Sequence, residues 1–418
     1  MSKQAAPQPE LDSRSRSVRV TEFEGLRGIL AWWVVAGHLL VLAGIDGLSL
    51  PKPFRLLLRG DMPVNVFIIL SGFVISMLID KGRDTYPAYI TRRFFRLFPA
   101  YLCCLAAMIP LSILGISAMQ SLPWAGDRTI SWIIADWHST QAHLWAHLAA
   151  HLTMLHGIIP NEILPDSPGA ILGPAWSVSL EWQFYLVAPL CLALMRRSLA
   201  WLSVCAILTT IATLGAKHFG NIFEPGLIIT YPFPGFLPLK AVYFFCGICS
   251  FIIHKDALRY LRSGTLARVL LVIFAGLIVF THSADLFLWF FVFGLHIFHT
   301  NSRQNWLSRS VRAFLNSVPM QWLGRVSYST YLCHAPVLYL ALWLLADRAP
   351  SWTNWRFLTW LTAISVPVVL LVSEALFRFI ERPAILAAKS WVTTWSPHPE
   401  TTAAPLTTAS QTTRWRSL

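Results

Sequence analysis

The chain has 418 residues, of which 55% are hydrophobic and 13% charged, and its formal net charge is +13. This composition excludes an ordinary soluble enzyme and is typical of a polytopic membrane protein. A basic chain can also bind nucleic acid. Here, however, most Lys and Arg residues fall in tails and short connections on one side of the predicted membrane segments. That asymmetry is the positive-inside pattern of membrane topology, so we expect no nucleic-acid partner.

About ten apolar segments are predicted to cross the membrane as helices, which gives an all-α polytopic fold with both termini in the cytoplasm. They lie near 28–45, 63–79, 99–117, 171–195, 200–216, 237–253, 269–281, 285–299, 326–346 and 358–380. We expect one integral-membrane domain over 21–388. The polar ends, 1–20 and 389–418, are predicted to be disordered cytoplasmic tails.

The first apolar segment contains two ionisable residues, Arg27 and His38, in FEGLRGILAWWVVAGHLL. A rise of ~1.5 Å per residue separates them by roughly 16 Å along a helix, which predicts His38 near the middle of the bilayer. A buried, hydrogen-bonded structural histidine is one interpretation. Intramembrane ionisable residues, however, usually face a bundle interior and have a function there.

The stretch 118–170 is predicted to lie at the outer face, because it contains a single basic residue, Arg128. Its His143, His147 and His151 are spaced four residues apart and would share one side of a helix. Such a pair of histidines can bind zinc, but no carboxylate follows at HExxH spacing. We predict an amphipathic or re-entrant helix whose histidines line a groove, and no metal site.

Two further polar residues are predicted to reach the depth of His38. Glu181 lies about ten residues into its segment from the outer side, and His334 lies about ten residues into its segment from the inner side. Ten residues of helix are roughly 15 Å, or half of the hydrocarbon thickness. A shared depth for His38, Glu181 and His334 indicates a polar site inside the bundle, although a purely structural network remains an alternative.

A cluster of three arginines, Arg92, Arg93 and Arg96, precedes the third segment at the predicted cytoplasmic edge. Part of this cluster is explained by positive-inside anchoring. Arg93 and Arg96 also share one helix face. Because guanidinium groups bind phosphate oxygens in a bidentate manner, they are candidates for holding an anion.

These features together resemble acyltransferase family 3, the bacterial-type integral-membrane O-acyltransferases, over about residues 22–386. The motifs that carry the resemblance are Arg27 and His38, VFIILSGFVIS, Arg93-Phe-Phe-Arg96 with LFPAY, Trp176-Ser-Val-Ser-Leu-Glu181-Trp-Gln-Phe-Tyr185, Gly324-Arg-Val-Ser-Tyr-Ser-Thr-Tyr-Leu-Cys-His334, and FRFIERPAI. Two positions depart from the family pattern. Glu24 and Asn65 stand where the family commonly has Asp.

The resemblance implies transfer of an acyl group, most often acetyl, from cytoplasmic acyl-CoA to a hydroxyl of a glycan or related acceptor at the outer face. No permanently bound cofactor is expected, and the membrane would be a bacterial inner membrane. His38 is the candidate base. Glu181 would orient or polarise it, and Arg27 would hold the donor or the carbonyl oxygen. The other candidates are Arg93, Arg96 and Arg92 for the phosphates, and His334, Tyr331, Ser71 and Trp176 for lining the substrate site.

A proton-coupled transporter or flippase is the alternative function, because such proteins also place His, Glu and Arg within the membrane. No inverted repeat and no matching pair of broken helices is evident in the sequence. The sequence names neither the acceptor nor the length of the acyl chain.

Overall fold

The computed structural model describes residues 20–82, 84–195, 230–231, 233–259, 284–297 and 306–395, together with 201, 204, 207–209 and 211. All regular secondary structure in these residues is helical. The α-helices are α1 (Thr21–Leu42), α2 (Asp61–Lys81), α3 (Tyr86–Gln120), α4 (Arg128–Ala142), α5 (Leu144–Leu152), α6 (Trp176–Met195), α7 (Leu237–Arg259), α8 (Ala284–Ile297), α9 (Trp306–Leu315), α10 (Val318–Arg325), α11 (Ser327–Leu345), α12 (Asn354–Leu376) and α13 (Arg382–Trp395).

Within the described chain, seven helical stretches are long and apolar enough to cross a membrane. They are Thr21–Leu42, Asp61–Lys81, Tyr86–Gln120, Gly173–Met195, Leu237–Lys255, Ser327–Ser351 and Asn354–Trp395, and Ala284–Ile297 is a shorter apolar helix. These helices identify an integral membrane protein. The predicted segment 269–281, and most of 200–216, lie outside the described residues. The count of ten crossings and the side of each terminus therefore stay predictions.

The stretch 118–170, named the outer segment after its predicted position, differs from the single helix that the histidine spacing predicts. α4 ends at Ala142, and α5 begins only at Leu144, so His143 lies at the junction of two helices. His143 is exposed, whereas His147 and His151 are fully buried on one side of α5. The expected row of three histidines is therefore wrong at its first member, because the chain turns there.

The C-terminal end of the domain also differs from its predicted boundary. α12 continues through a π-helical turn, Phe377–Glu381, into α13, which runs to Trp395. Residues 389–395 are thus helical rather than part of a tail, because Ala388 and Val392 are buried. The rest of the predicted tail and residues 1–19 lie outside the described residues.

Two close helix crossings bring the functional segments together. α2 and α7 pack at Gly72 and Gly247, where a Cβ would lie only 2.4 Å from Phe244 O and 2.1 Å from Ile69 O respectively. α1 and α10 cross at Gly324, where a Cβ would lie 1.9 Å from Glu24 O. Glycine lets helix backbones approach this closely. The second crossing fixes the N-terminal half of α1, which carries Arg27.

Candidate active site

A cavity lies inside the bundle, between α1, α2, α3, α6, α7 and α11. Its empty volume is about 890 Å³, including space open to solvent. The polar side chains that line it are Arg27, Ser71, Arg93, Arg96, Ser177, Glu181, Tyr185, Ser327, Tyr328 and Tyr331. Five separate helices contribute these groups. Most of them belong to the motifs that the sequence singles out.

The three cavity arginines differ in their partners. Arg96 pairs with Glu381 and lies 4.9 Å from the ring centre of Tyr328. Arg27 Nε donates a hydrogen bond of 3.3 Å to Ser327 Oγ. Arg93 lies over the Tyr185 ring, at 5.8 Å, and its buried Nε has no hydrogen-bond partner among the described residues. Arg93 is thus the cavity cation with most donor capacity left for an anion.

Arg92 is not part of the cavity, in contrast to its predicted role beside Arg93 and Arg96. Its Nη1 lies 2.6 Å from Asp84 Oδ2 in an ion pair at the start of α3. Neighbouring residues on a helix point about 100° apart, so only one of Arg92 and Arg93 can face the cavity. The arginine cluster therefore divides into an anchoring and a cavity-facing part.

Glu381 belongs to the motif FRFIERPAI, but the sequence gives no sign that it lies at the site. It is 2% exposed, pairs with Arg96, and accepts a hydrogen bond of 2.7 Å from Ser329 Oγ. The signal that could have found it is an acidic residue beside an apolar segment, which needs a cationic partner.

Glu381→Gln should destabilise the protein, because it leaves the largely covered Arg96 guanidinium without its counter-charge. Removing one member of a buried ion pair costs about 3–5 kcal/mol, and the partial exposure of Arg96 makes this an upper bound here. The measurement is the melting temperature of the purified protein in detergent. The control is Asp61→Asn, which breaks the exposed pair of Asp61 with Arg59 and should shift the melting temperature little. Equal shifts for the two variants would contradict a structural role for the Arg96–Glu381 pair.

His38 lies near the C-terminal end of α1, and its side chain is exposed. Its Nδ1 is 2.9 Å from the Val34 carbonyl oxygen. A carbonyl only accepts hydrogen bonds, so Nδ1 carries the proton in the neutral ring and Nε2 keeps its lone pair. This is the tautomer that a general base requires.

His334 meets His38 as predicted: their ring centres are 5.0 Å apart. His334 is fully buried, and neither of its ring nitrogens has a hydrogen-bond partner among the described residues. Its ring centre lies 5.9 Å from that of Tyr331, which lines the cavity. Tyr331 therefore connects the cavity lining to the histidine pair.

Glu181 does not contact His38, and the predicted orienting hydrogen bond is absent between them. Glu181 instead accepts hydrogen bonds from Ser71 Oγ, at 3.1 Å, and from Tyr185. Tyr331 bonds Ser177, one turn before Glu181 on α6, and His334 follows Tyr331 by one turn on α11. Glu181 is thus about 10 Å along the bundle axis from His334. Counting residues from segment ends failed here because the helix ends are not level.

Only some of the remaining residues that were predicted to line the site lie at the cavity. Ser71 and Tyr331 line the cavity. Trp176 is buried at the start of α6 and stacks against Phe233, with ring centres 6.3 Å apart, away from the cavity. Tyr185 and Tyr328 were missed as separate candidates, although both lie in quoted motifs. A tyrosine has two common roles in such segments, packing and hydrogen bonding, and sequence alone does not distinguish them.

Two of the histidines in the stretch 118–170, His151 and His156, are stacked on each other. The rings of His151 and His156 are 3.9 Å apart, and Tyr101 Oη lies 2.7 Å from His151 Nδ1. In the described part of the chain, no three His, Cys, Asp or Glu side chains are arranged to hold a metal ion. These histidines pack the outer segment against α3.

A carboxyl pair, Asp136 on α4 and Asp166 in the following loop, lies in the same stretch. Burial raises the pKa of Asp136, and the charge of the neighbouring Asp166 raises it further. Burial also raises the pKa of Asp166. Two nearby carboxyl groups cannot both ionise freely, so the folded protein retains a proton here above the ordinary carboxyl range.

This pair predicts a pH-dependent stability. Since the folded pKa of Asp136 is above its unfolded value, the folded state binds more protons. Its stability is therefore highest on the acid side and falls as the pH rises. The measurement is the melting temperature between pH 5 and pH 9, compared with Asp136→Asn. The variant should show a smaller decline, and parallel curves for both proteins would refute the assignment.

Comparison with known proteins decides the family. A family model described as an acyltransferase domain matches residues 20–374. The chain belongs to acyltransferase family 3. No solved structure matches it.

Several curated proteins are similar to this member of acyltransferase family 3. The peptidoglycan O-acetyltransferase OatA of Listeria monocytogenes is 23% identical over 87% of this chain and 55% of its own length. The acyltransferase MdmB of Streptomyces mycarofaciens is 25% identical over 56% of this chain and 54% of its own. Nodulation protein 10 of Rhizobium leguminosarum bv. viciae is 24% identical over 40% of this chain and 43% of its own. The chain thus spans about half the length of these relatives.

Proposed function

We propose that the protein is an O-acyltransferase that moves an acyl group, acetyl above all, from cytoplasmic acyl-CoA to a hydroxyl of a glycan at the outer side of a bacterial inner membrane. The observation that carries this proposal is the cavity, which gathers three guanidinium groups and ends next to the His38–His334 pair. Family membership and the name of the relative OatA support O-acetyl transfer to a carbohydrate.

The charges of the cavity favour an anionic donor. Arg27, Arg93 and Arg96 line it, against Glu181 in the lining and Glu381 paired to Arg96. The balance is one positive charge, which favours binding of an anion such as a phosphate group. The CoA phosphates would bind Arg93 and Arg27, and the thioester arm would extend from there along the cavity.

The proposed reaction neither consumes nor releases a proton overall. His38 Nε2 removes the proton of the acceptor hydroxyl, the hydroxyl oxygen attacks the thioester carbonyl carbon, and the carbon–sulfur bond breaks. The CoA thiolate then takes up the proton that His38 removed, and His38 returns to its neutral form. His38 is the catalytic residue in this scheme, and the Val34 carbonyl holds its ring in the reactive tautomer.

The direct test uses the purified protein in lipid nanodiscs with acetyl-CoA labelled in the acetyl group. An acyltransferase releases free CoA thiol and leaves the label on a glycan acceptor. A transporter or flippase, the alternative function, does neither. Acetyl phosphate serves as a donor without the nucleotide; label transfer from it at an equal rate would remove CoA from the proposal.

Glu181→Gln should leave the affinity for acyl-CoA at least as high as in the parent, and it should not act through His38, which Glu181 does not contact. The change keeps the size of the side chain but removes a negative charge beside Arg93 and Arg96, so phosphate binding should not suffer. Steady-state kinetics that separate kcat from KM provide the measurement. A higher KM with unchanged kcat would show that Glu181 serves donor binding instead.

A further inference from the structure

The two ends of the cavity are lined by different parts of α2. α2 and α3 are joined by a short connection after Lys81, so the end of α2 and the start of α3 lie on the same side. Val74 and Ile75 of α2 therefore lie at the arginine end of the cavity, and Val64 and Phe67 lie at the opposite end. Eleven residues of helix separate Val64 from Ile75, which makes the cavity about 16 Å long.

Two aromatic side chains that line the cavity, Phe67 and Tyr331, face each other towards the end that is remote from Arg93 and Arg96. The ring centres of Phe67 and Tyr331 are 6.1 Å apart, at an interplanar angle of 63°. Tyr331 is held in place, because its hydroxyl donates to Pro174 O at 2.9 Å and lies 2.8 Å from Ser177 Oγ. Phe67 is only partly buried and lines the cavity. The Phe67–Tyr331 pair is therefore a wall, with one anchored and one less constrained member.

The Phe67–Tyr331 wall lies close to the proposed catalytic base, His38. His334 lies 5.9 Å behind Tyr331, and His38 lies 5.0 Å from His334. A thioester arm that starts at the arginines and runs along the cavity ends with its acyl group against Phe67 and Tyr331. A longer acyl chain would have to displace one of these rings, whereas an acetyl group ends before them.

We propose that the Phe67–Tyr331 wall limits the length of the acyl chain that the enzyme transfers, and that it selects acetyl over longer groups. The inference rests on the proposed function, since it assumes an acyl-CoA donor in this cavity. Phe67 is the adjustable element, because the Tyr331 hydroxyl is fixed by two partners. Both residues act as specificity determinants and take no part in proton transfer.

The test measures kcat/KM for acetyl-, butyryl- and hexanoyl-CoA with the parent, Phe67→Leu and Phe67→Ala. Space for one more methylene group contributes about fourfold in affinity. The ratio of hexanoyl to acetyl transfer should therefore rise by at least about tenfold in Phe67→Ala, and less in Phe67→Leu. Tyr331→Phe keeps the ring and should keep the acyl preference of the parent.

The matched control is Phe73→Leu, on the same helix. Phe73 is fully buried and packs against Phe251 and Trp289, outside the cavity. This variant should keep the parental order of donors even if its melting temperature drops. Because the readout is a ratio of donors within each protein, a general loss of activity cancels.

The outcomes separate the two proposals. If the parent transfers no acyl group from any CoA thioester, the proposed function fails and takes the inference with it. If the parent transfers acetyl but Phe67→Leu, which keeps an apolar side chain and should fold, shows the parental donor profile, the inference alone is overturned. A shift towards longer donors in Phe67→Leu that is absent in Phe73→Leu supports it.

Discussion

Replacing His38 with Ala should lower the turnover of acyl transfer by about 10²–10⁴-fold, the usual cost of losing a general base. The structural reason is the bond of Nδ1 to the Val34 carbonyl, which leaves Nε2 as the acceptor of the substrate proton. Donor binding should change little, because His38 does not line the arginine cavity. Initial rates of CoA thiol release at saturating acetyl-CoA give the measurement.

Two controls distinguish catalysis from folding. His38→Gln keeps a polar side chain of similar size but has no basic nitrogen, so it should be as inactive as His38→Ala. His254→Gln changes a buried histidine that bonds His296 on α8 away from the cavity, and it should retain most of the turnover. If His38→Gln turned over like the parent, His38 would be excluded as the base.

Arg93→Lys should weaken acyl-CoA binding by about tenfold to hundredfold. Arg93 is the cavity arginine whose Nε lacks a partner, so its hydrogen bonds are available for phosphate. Lysine keeps the positive charge but cannot form a bidentate fork. Charged hydrogen bonds contribute about 1.5–3 kcal/mol each, which corresponds to this loss. Affinity is measured by titration with acetyl-CoA, and with a short acetyl thioester that lacks the nucleotide.

The neighbouring residue provides a matched control. Arg92→Lys makes the same change one position earlier, at a side chain that pairs with Asp84 outside the cavity. Both variants keep the positive charge that orients the protein in the membrane. Arg92→Lys should bind acetyl-CoA as the parent does, and the short thioester should not distinguish Arg93→Lys from the parent. Equal affinities of both lysine variants for acetyl-CoA would mean that other groups hold the phosphates.

Arg96→Lys is expected to have a smaller effect on binding than Arg93→Lys. Its guanidinium is already engaged by Glu381, so less of its donor capacity is left for a ligand. The sequence presents Arg93 and Arg96 as equivalent, because both face one side of a helix. Their difference arises from the π-helical turn Phe377–Glu381, which is distant in sequence and brings Glu381 to only one of them.

The sequence by itself determined the class of the protein, the existence of most long helices and the ionisable side chains within them. Apolar segments of about twenty residues have few alternatives to a membrane helix, since lipid offers no hydrogen bonds to an open backbone. Ionisable residues within them stand out for the same reason. This is why the sequence alone points to Arg27, His38, Glu181 and His334.

The tertiary structure decided how these side chains are grouped. The sequence suggested one polar layer, whereas the structure separates Glu181, in the cavity with the arginines, from His38 and His334 behind Tyr331. In the structure, a backbone carbonyl group orients His38, instead of the carboxylate that the sequence suggested. Spacing along one helix fixes the face and height of a residue on that helix. The relative height and rotation of neighbouring helices are set by the packing between them, as at the Gly72–Gly247 crossing. No local sequence pattern encodes that height or rotation.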